Sequence, residues 1–299
     1  MSFLFYKFKY KNICHINISR FNTAIINKKQ VGVNMATYVC SDIHGNYKKW
    51  KQMLKKIKFK NTDTMYVLGD VIDRGPEPIA LLNDILSRDN CVLLMGNHEK
   101  MMLDFYKAKS RLNIVDTYRL WMQNGGEITY EQFESLTSEE QSDVISKLEA
   151  LPIAIIGLIV DQKLKNNQII PRYYYLVHAS PGKAFYSYPS TLTLSNTIEV
   201  NHMLWDRTFY KRGKLDLSLS QQNFYKNFTV INGHTPTINV KSYDFHKKFS
   251  ADNFPRDSFR GRILHSHKGH SINVDCGIYY KNSVFGCIRL DDWMEFYIE

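Results

Sequence analysis

The chain has 299 residues, 44% of them hydrophobic and 23% charged, the proportions of a globular protein with room for one large domain or two small ones. No apolar run approaches the ~20 residues a bilayer span needs, so no membrane partner is expected, and the longest run, Ile153–Val160, reads as a core strand. The net charge of +10 would suit a polyanion. However, six of its basic residues (Lys7, Lys9, Lys11, Arg20, Lys28 and Lys29) fall in residues 1–34, which contain no acid. Removing them leaves 33 basic against 29 acidic residues, and no stable nucleic-acid partner is expected.

Residues 1–34 read as a basic leader, disordered or absent from the native product, with Met35 as the effective start and residues 35–299 as one domain. Lys and Asn interrupt every apolar stretch of the leader, unlike a secretory signal. Cys14, Cys40, Cys91, Cys276 and Cys287 are odd in number and form no Cys-x-x-Cys pair. They read as reduced thiols, which points to the cytoplasm.

In chain order, Thr37–Cys40 is a short strand that runs into Ser41-Asp42-Ile43-His44-Gly45-Asn46. Trp50, Met53, Leu54 and Ile57 then mark one face of a helix, with lysines on the other. Strand Met65–Leu68 runs into Gly69-Asp70, with Asp73-Arg74-Gly75-Pro76 on the turn. A helix over Pro78–Ser87 and a strand over Cys91–Met95 follow, the strand ending in Gly96-Asn97-His98-Glu99. This is β-α-β-α-β, which implies a parallel sheet. Residues 100–151 are helical in pattern, broken by the turn Asn124-Gly125-Gly126, with a capping box at Thr137–Glu140. Strands Ile153–Val160 and Tyr173–Val177 flank a polar loop, Asp161–Arg172, and the second ends in His178. Segment 183–227 reads as irregular. Strand Phe228–Ile231 leads to Asn232-Gly233-His234, and β patterns recur at Ser271–Val274, Ser283–Leu290 and Trp293–Ile298.

The strand ends collect Asp42, His44, Asp70, Asn97, His178 and His234. Ligands gather at such ends in wound sheets. Two carboxylates, three imidazoles and an amide suit Mn, Fe or Zn better than Ca or Mg. Six donors are too many for one cation that keeps an open position. They suit two, with Asp70 shared, able to deprotonate a bridging water and clamp a phosphoryl group. Arg74 and Arg207 offer planar forks for phosphate oxygens. His98 is placed to protonate a leaving oxygen, and Asp73 to hold its imidazole.

SDIHG, GDVIDRGP, GNHE, VHAS and GHTP together resemble the motif series of the calcineurin-like metallophosphoesterases. Within these the chain is similar to the phosphoprotein phosphatases, above all their bacterial and phage branch, which GNHEKMMLD, WMQNGG and LWDR also resemble. The resemblance runs from Met35 to Leu290. It implies an α/β fold, a four-layer αββα sandwich with a dinuclear centre at strand ends, usually loaded with Mn. It also implies Asp42, His44 and Asp70 on one metal, and Asp70, Asn97, His178 and His234 on the other. His98 with Asp73 would form the acid pair, with Arg74 and Arg207 on phosphate. Ser41, Ser180 and Cys276 depart from the usual residues at their positions.

Elsewhere the expected roles are structural. Glu99 should support the structure or a ligand rather than act in catalysis, and Arg207 has a plainer role open to it, pairing with Asp206. The cluster His265, His267 and His270 reads as a solvated hairpin tip. Tyr173–Tyr175 reads as strand packing, Met101 and Met102 as helix core, and Lys48–Lys60 as a solvated face. The expected activity is that of a metal-dependent phosphomonoesterase acting on phosphoproteins or phosphopeptides as a serine/threonine protein phosphatase, with small phosphoesters as further substrates. The rivals are a dinucleoside tetraphosphate hydrolase, a nucleic-acid 3′-end phosphatase, and a basic binding module that uses its metals structurally.

Overall fold

The computed structural model describes residues 35–108, 111–164, 166–181, 191–194, 197–207, 228–239, 261–266, 270–281 and 283–299. The leader, His267 and most of segment 183–227 lie outside the described residues. The first sheet contains β1 (Thr37–Cys40), β2 (Thr64–Val67), β3 (Cys91–Leu93), β10 (Phe285–Arg289) and β11 (Met294–Ile298), in the order β11-β10-β1-β2-β3. Its β1, β2 and β3 are parallel, as the β-α-β-α-β reading requires, with Val39 beside Tyr66 and Met65 beside Cys91. Strands β10 and β11 add an antiparallel edge. The second sheet contains β4 (Ala154–Lys163), β5 (Ile169–Val177), β6 (Thr191–Leu192), β7 (Phe228–Asn232), β8 (Leu264–Ser266) and β9 (Ser271–Asn273), in the order β6-β4-β5-β7-β9-β8.

Side chains alternate across each strand, and the two sheets use that alternation to share a core. Val39, Tyr66, Leu68 and Leu94 from the first sheet side meet Tyr174, Leu176, Ile231, Ile272 and Val274 from the second. The opposite face of the first sheet, through Cys40, Val67 and Leu93, packs with α1 (Tyr47–Lys56) and α2 (Pro78–Leu86), which contribute Trp50, Met53, Leu82 and Ile85. Each such fully buried side chain stabilises the fold by roughly 1.5–3 kcal/mol. Tyr175, Val177 and Val230 turn away from the inter-sheet core into the cluster that also holds Val200, Met203 and Leu204 of α7 (Thr197–Trp205). The result is helix, sheet, sheet, helix, the expected αββα sandwich. Four helices fill residues 97–149: α3 (Asn97–Tyr106), α4 (Arg111–Gln123), α5 (Glu127–Glu134) and α6 (Ser138–Glu149). The Thr137–Glu140 capping box opens the last of them. Met101 and Met102 are buried in α3.

Three sequence expectations need correction. Asp161–Arg172 is not all loop. The β4–β5 ladder continues to Lys163 beside Ile169, past a bulge at Gly157, with Asp161 and Lys163 exposed and Gln162 turned to the buried face. Segment 183–227 is not wholly irregular, since it contains β6 and α7. Val200, Met203 and Leu204, at i, i+3 and i+4, supply the buried face of α7. His265 is no solvated tip. It lies in β8, paired with β9, and its Nε2 is 2.6 Å from Glu295 Oε1 of β11. Among the described residues no helix is long and apolar enough to cross a membrane.

Candidate active site at the strand ends

The six expected ligands follow the carboxyl ends of β1, β2, β3, β5 and β7, and each is at most 4% exposed. Their turns are held in an uncommon conformation. Six of the nine described non-glycine residues with positive φ are Asp42, His44, Asp70, Asp73, Arg74 and His234, with φ between 46° and 69°. Such backbone costs about 1–3 kcal/mol per residue and persists only where surroundings impose it. The backbone also approaches closely here. A Cβ on Gly96 would strike the Asp70 carboxylate, and one on Gly233 would strike Ser41 Oγ and Asp42 Oδ2.

Carbonyls fix the imidazole tautomers. His178 Nδ1 donates to Leu68 O at 2.7 Å, so its Nε2 carries a lone pair. That lone pair lies 2.9 Å from Asn97 Oδ1, 3.2 Å from His234 Nδ1 and 3.4 Å from Asp70 Oδ1. His234 Nε2 faces Trp205 O at 3.3 Å, which leaves its Nδ1 as another acceptor. Four acceptors therefore converge with no proton between them, the donor set of a cation. Burial, then neighbouring charge, shapes their protonation. His178 and His234 are pushed below the usual imidazole range, burial first. The Asp70 carboxyl is pushed well up by burial and by the charges of Asp42 and Glu99. Neutral imidazoles around a buried carboxylate are what a divalent ion stabilises.

The second group shares Asp70. His44, Asp70 and His98 offer atoms within 4.8 Å of one another, as do Asp70, His178 and His234. His44 Nδ1 donates to Ile72 O at 3.0 Å, so its Nε2 is an acceptor, 3.8 Å from Asp70 Oδ2. Arg74 sends Nη1 to His44 Nε2 at 3.1 Å and Nη2 to His98 Nε2 at 3.0 Å. The structure thus brings Asp70 between both groups, as expected for the shared ligand. His98, expected only as an acid, joins the first group. Asp42 belongs to neither. It lines the same cavity, but its Oδ2 accepts from His234 N at 3.0 Å and from Ser41 Oγ.

His98 Nδ1 is 2.6 Å from Asp73 Oδ2, and both residues are buried. Burial pushes the Asp73 carboxyl up to about 8 against the bonds from Thr129 and Trp121, and pushes His98 below the usual imidazole range. Trp121 Nε1 donates to Asp73 Oδ1 and Oδ2 at 3.1 and 2.9 Å, and Asp73 N donates to Thr129 Oγ1 at 2.9 Å. Glu99 supports Asp70 as expected. Its carboxylate accepts from Asp70 N, Val71 N and Gly96 N at 2.7–3.0 Å. Arg74 and Arg207 are exposed at the cavity, with Arg207 Nη1 donating to His234 O at 2.8 Å. Sequence reasoning missed Trp121 and Thr129 as partners of Asp73. It also missed Tyr279, whose hydroxyl reaches His44 O, and Asp275, which lines the cavity. The signals in the sequence were WMQNGG around Trp121 and Asp275-Cys276-Gly277, which stands where relatives often have Asp-Thr-Gly and pointed to Cys276 near the site.

A family model for calcineurin-like phosphoesterases matches residues 35–297. The chain belongs to that family. That family consists of hydrolases acting on phosphoesters that use a dinuclear divalent-metal centre. Among curated relatives, a symmetrical bis(5'-nucleosyl)-tetraphosphatase of Proteus mirabilis (strain HI4320) is 35% identical over 79 residues, 26% of this chain and 29% of that protein. Its counterpart in Erwinia tasmaniensis is 36% identical over 87 residues, 26% of this chain and 32% of that protein. The calcineurin-like phosphoesterase thus matches only about a third of the length of these relatives. A solved structure provisionally described as a diadenosine tetraphosphatase superposes with a TM-score of 0.51 at 16% identity, covering 89% of this chain and 94% of that one. At that identity the likeness is one of fold.

Proposed function

We propose that the chain is a metal-dependent phosphomonoesterase, a serine/threonine protein phosphatase that hydrolyses its substrate directly, without a phosphoenzyme. In this reading His44 and Asp70, joined by Asp42 from the wall of the same cavity, would hold one divalent ion, and Asp70, Asn97, His178 and His234 the other, with Mn as the working metal. When bound, the pair supplies an activated water and charge neutralisation for the phosphoryl group. The chain's own residues do the rest. Arg74 and Arg207 grip phosphoryl oxygens. Asp73, held by Trp121, orients His98 through Nδ1 and favours its charged form, and His98 as the imidazolium gives a proton from Nε2 to the departing oxygen. Residues 35–299 act as one catalytic domain. The four described cysteines, all buried and free, suit a reducing, cytoplasmic setting.

One observation carries the choice of substrate: the buried His98–Asp73 pair at 2.6 Å. A seryl or threonyl alkoxide is a poor leaving group and needs a proton as it departs. A nucleoside diphosphate is stable as an anion and does not. A built acid pair therefore favours a monoester over a phosphoanhydride. The tetraphosphatase reading has its own support, the partial identity to the two relatives above. With Mn added, kcat/KM on a phosphoserine peptide, a phosphotyrosine peptide and diadenosine tetraphosphate decides between them. The phosphoserine peptide should be turned over best. A preference for the dinucleotide by tenfold or more would overturn the proposal in favour of its rival.

A further inference from the structure

Tyr279 has no role in the scheme above, yet it touches both turns that carry that scheme. It stands on the connection between β9 of the second sheet and β10 of the first. Its hydroxyl is 2.9 Å from His44 O and 3.3 Å from Asp73 O. One proton serves two carbonyls, with the His44 bond the stronger. Its ring meets the His44 ring edge-on at 5.1 Å, and the Arg74 guanidinium lies 5.6 Å from its centroid. Tyr279 lines the cavity together with Asp42, Arg74 and Arg207.

Its contacts fall on backbone that needs support. His44, Asp73 and Arg74 all hold positive φ, at 46°, 69° and 67°. The Arg74 turn has other ties, with Arg74 N to Gly125 O at 2.9 Å and Nε to Asn124 O at 3.2 Å, but these come from the α4 side. Tyr279 is the contact that joins the Asp73–Arg74 turn to the His44 turn through a third segment. The Arg74 fork meets His44 Nε2 and His98 Nε2 at 3.1 and 3.0 Å, and the Tyr279 ring bounds it on another side, at the outer reach of a cation–π contact.

We propose that Tyr279 is a positioning residue for phosphate capture: it holds Arg74 so that the guanidinium meets the phosphoryl oxygens. This rests on the phosphoesterase reading of the site, with Arg74 on phosphate. Tyr279 acts through Arg74, so its effect belongs to binding and not to the chemical step.

The test is a double-mutant cycle on Mn-loaded protein, with inorganic phosphate as the probe. Phosphate binding is measured by calorimetry and as a competitive inhibition constant, beside KM and kcat for p-nitrophenyl phosphate. Tyr279→Phe keeps the ring and removes the staple. It should weaken phosphate roughly 3- to 10-fold, the size of one neutral hydrogen bond, and raise KM alike while kcat stays within about twofold. In an Arg74→Ala background the same change should have no further effect, because coupled residues are non-additive. Tyr279→Leu should weaken phosphate more than Tyr279→Phe. Additive losses, a fall in kcat alone, or a lowered Tm with unchanged phosphate affinity would each overturn the proposal. If the parent protein binds no phosphate and turns over no phosphoester, the functional reading falls too. If the parent does both and Tyr279→Phe matches it, only the Tyr279 assignment falls.

Discussion

His98→Asn separates the acid from the metal site and tests the substrate argument. Asn removes the imidazole that Asp73 holds at 2.6 Å, and with it the Nε2 atom that would carry the proton to the leaving oxygen. A lost general acid lowers turnover by about 10²–10⁴, or roughly 3–5 kcal/mol of transition-state stabilisation. That loss should appear in full on a phosphoserine peptide, whose alkoxide must be protonated. On p-nitrophenyl phosphate, whose phenolate departs unaided, it should shrink to about tenfold or less. Single-turnover rates on both substrates give the ratio, and elemental analysis gives the metal content. His98 Nε2 lies 3.7 Å from Asp70 Oδ2, so the metal count matters. Two metals retained with a leaving-group-dependent loss supports the acid role. An equal loss on both substrates refutes it, and a lost metal would make His98 a ligand.

Asp70→Asn should lose the dinuclear centre, because Asp70 is the one residue common to both candidate groups. Full occupancy by two metals in elemental analysis would overturn the shared-ligand assignment. Glu99→Gln replaces one carboxylate oxygen with a donor where Oε1 accepts from Val71 N at 2.7 Å and Oε2 from Asp70 N at 2.9 Å. It should cost about 2–5 kcal/mol in urea unfolding, a lost charge-assisted bond plus a buried amide left without an acceptor. An unchanged urea midpoint would dismiss that support role. Away from the site, partial burial alone would raise the Asp84 carboxyl, but bonds from Arg88 and Trp50 hold it below the usual carboxylate range. A depressed folded-state value contributes stability above the unfolded value, and that contribution disappears as pH falls through the folded one. Asp84→Asn should therefore destabilise at neutral pH and lose its effect in acid. A loss of Tm that does not vary with pH would refute the linkage.

The site was largely legible because its signal is local. A short apolar strand followed at once by Asp, His or Asn can be read from a handful of residues, and it recurs after β1, β2, β3, β5 and β7. The parallel sheet follows from the same alternation. What holds those residues in place is not local. Trp121 and Thr129 lie 48 and 56 positions from Asp73, and Tyr279 lies 235 from His44. No periodicity or spacing connects them, and only the folded chain brings them together. His265 was misread for the same reason, since its partner Glu295 is 30 residues on. The β4–β5 hairpin was cut short because its outer half is polar, although a polar outward face is compatible with a strand.

The left-handed turns were the least legible feature, and they explain why so many backbone groups are tied. Asp42, His44, Asp70, Asp73, Arg74 and His234 are not residues that signal positive φ as glycine does. Six such positions at about 1–3 kcal/mol each amount to a large share of a domain's net stability. They can persist only if other contacts offset them. Glu99 on the Asp70 and Val71 amides, Gly69 O on Asp42 N, Gly125 O on Arg74 N and Asp42 Oδ2 on His234 N are those contacts. In this chain the polar groups next to the candidate ligands therefore stabilise the geometry on which the proposed chemistry depends.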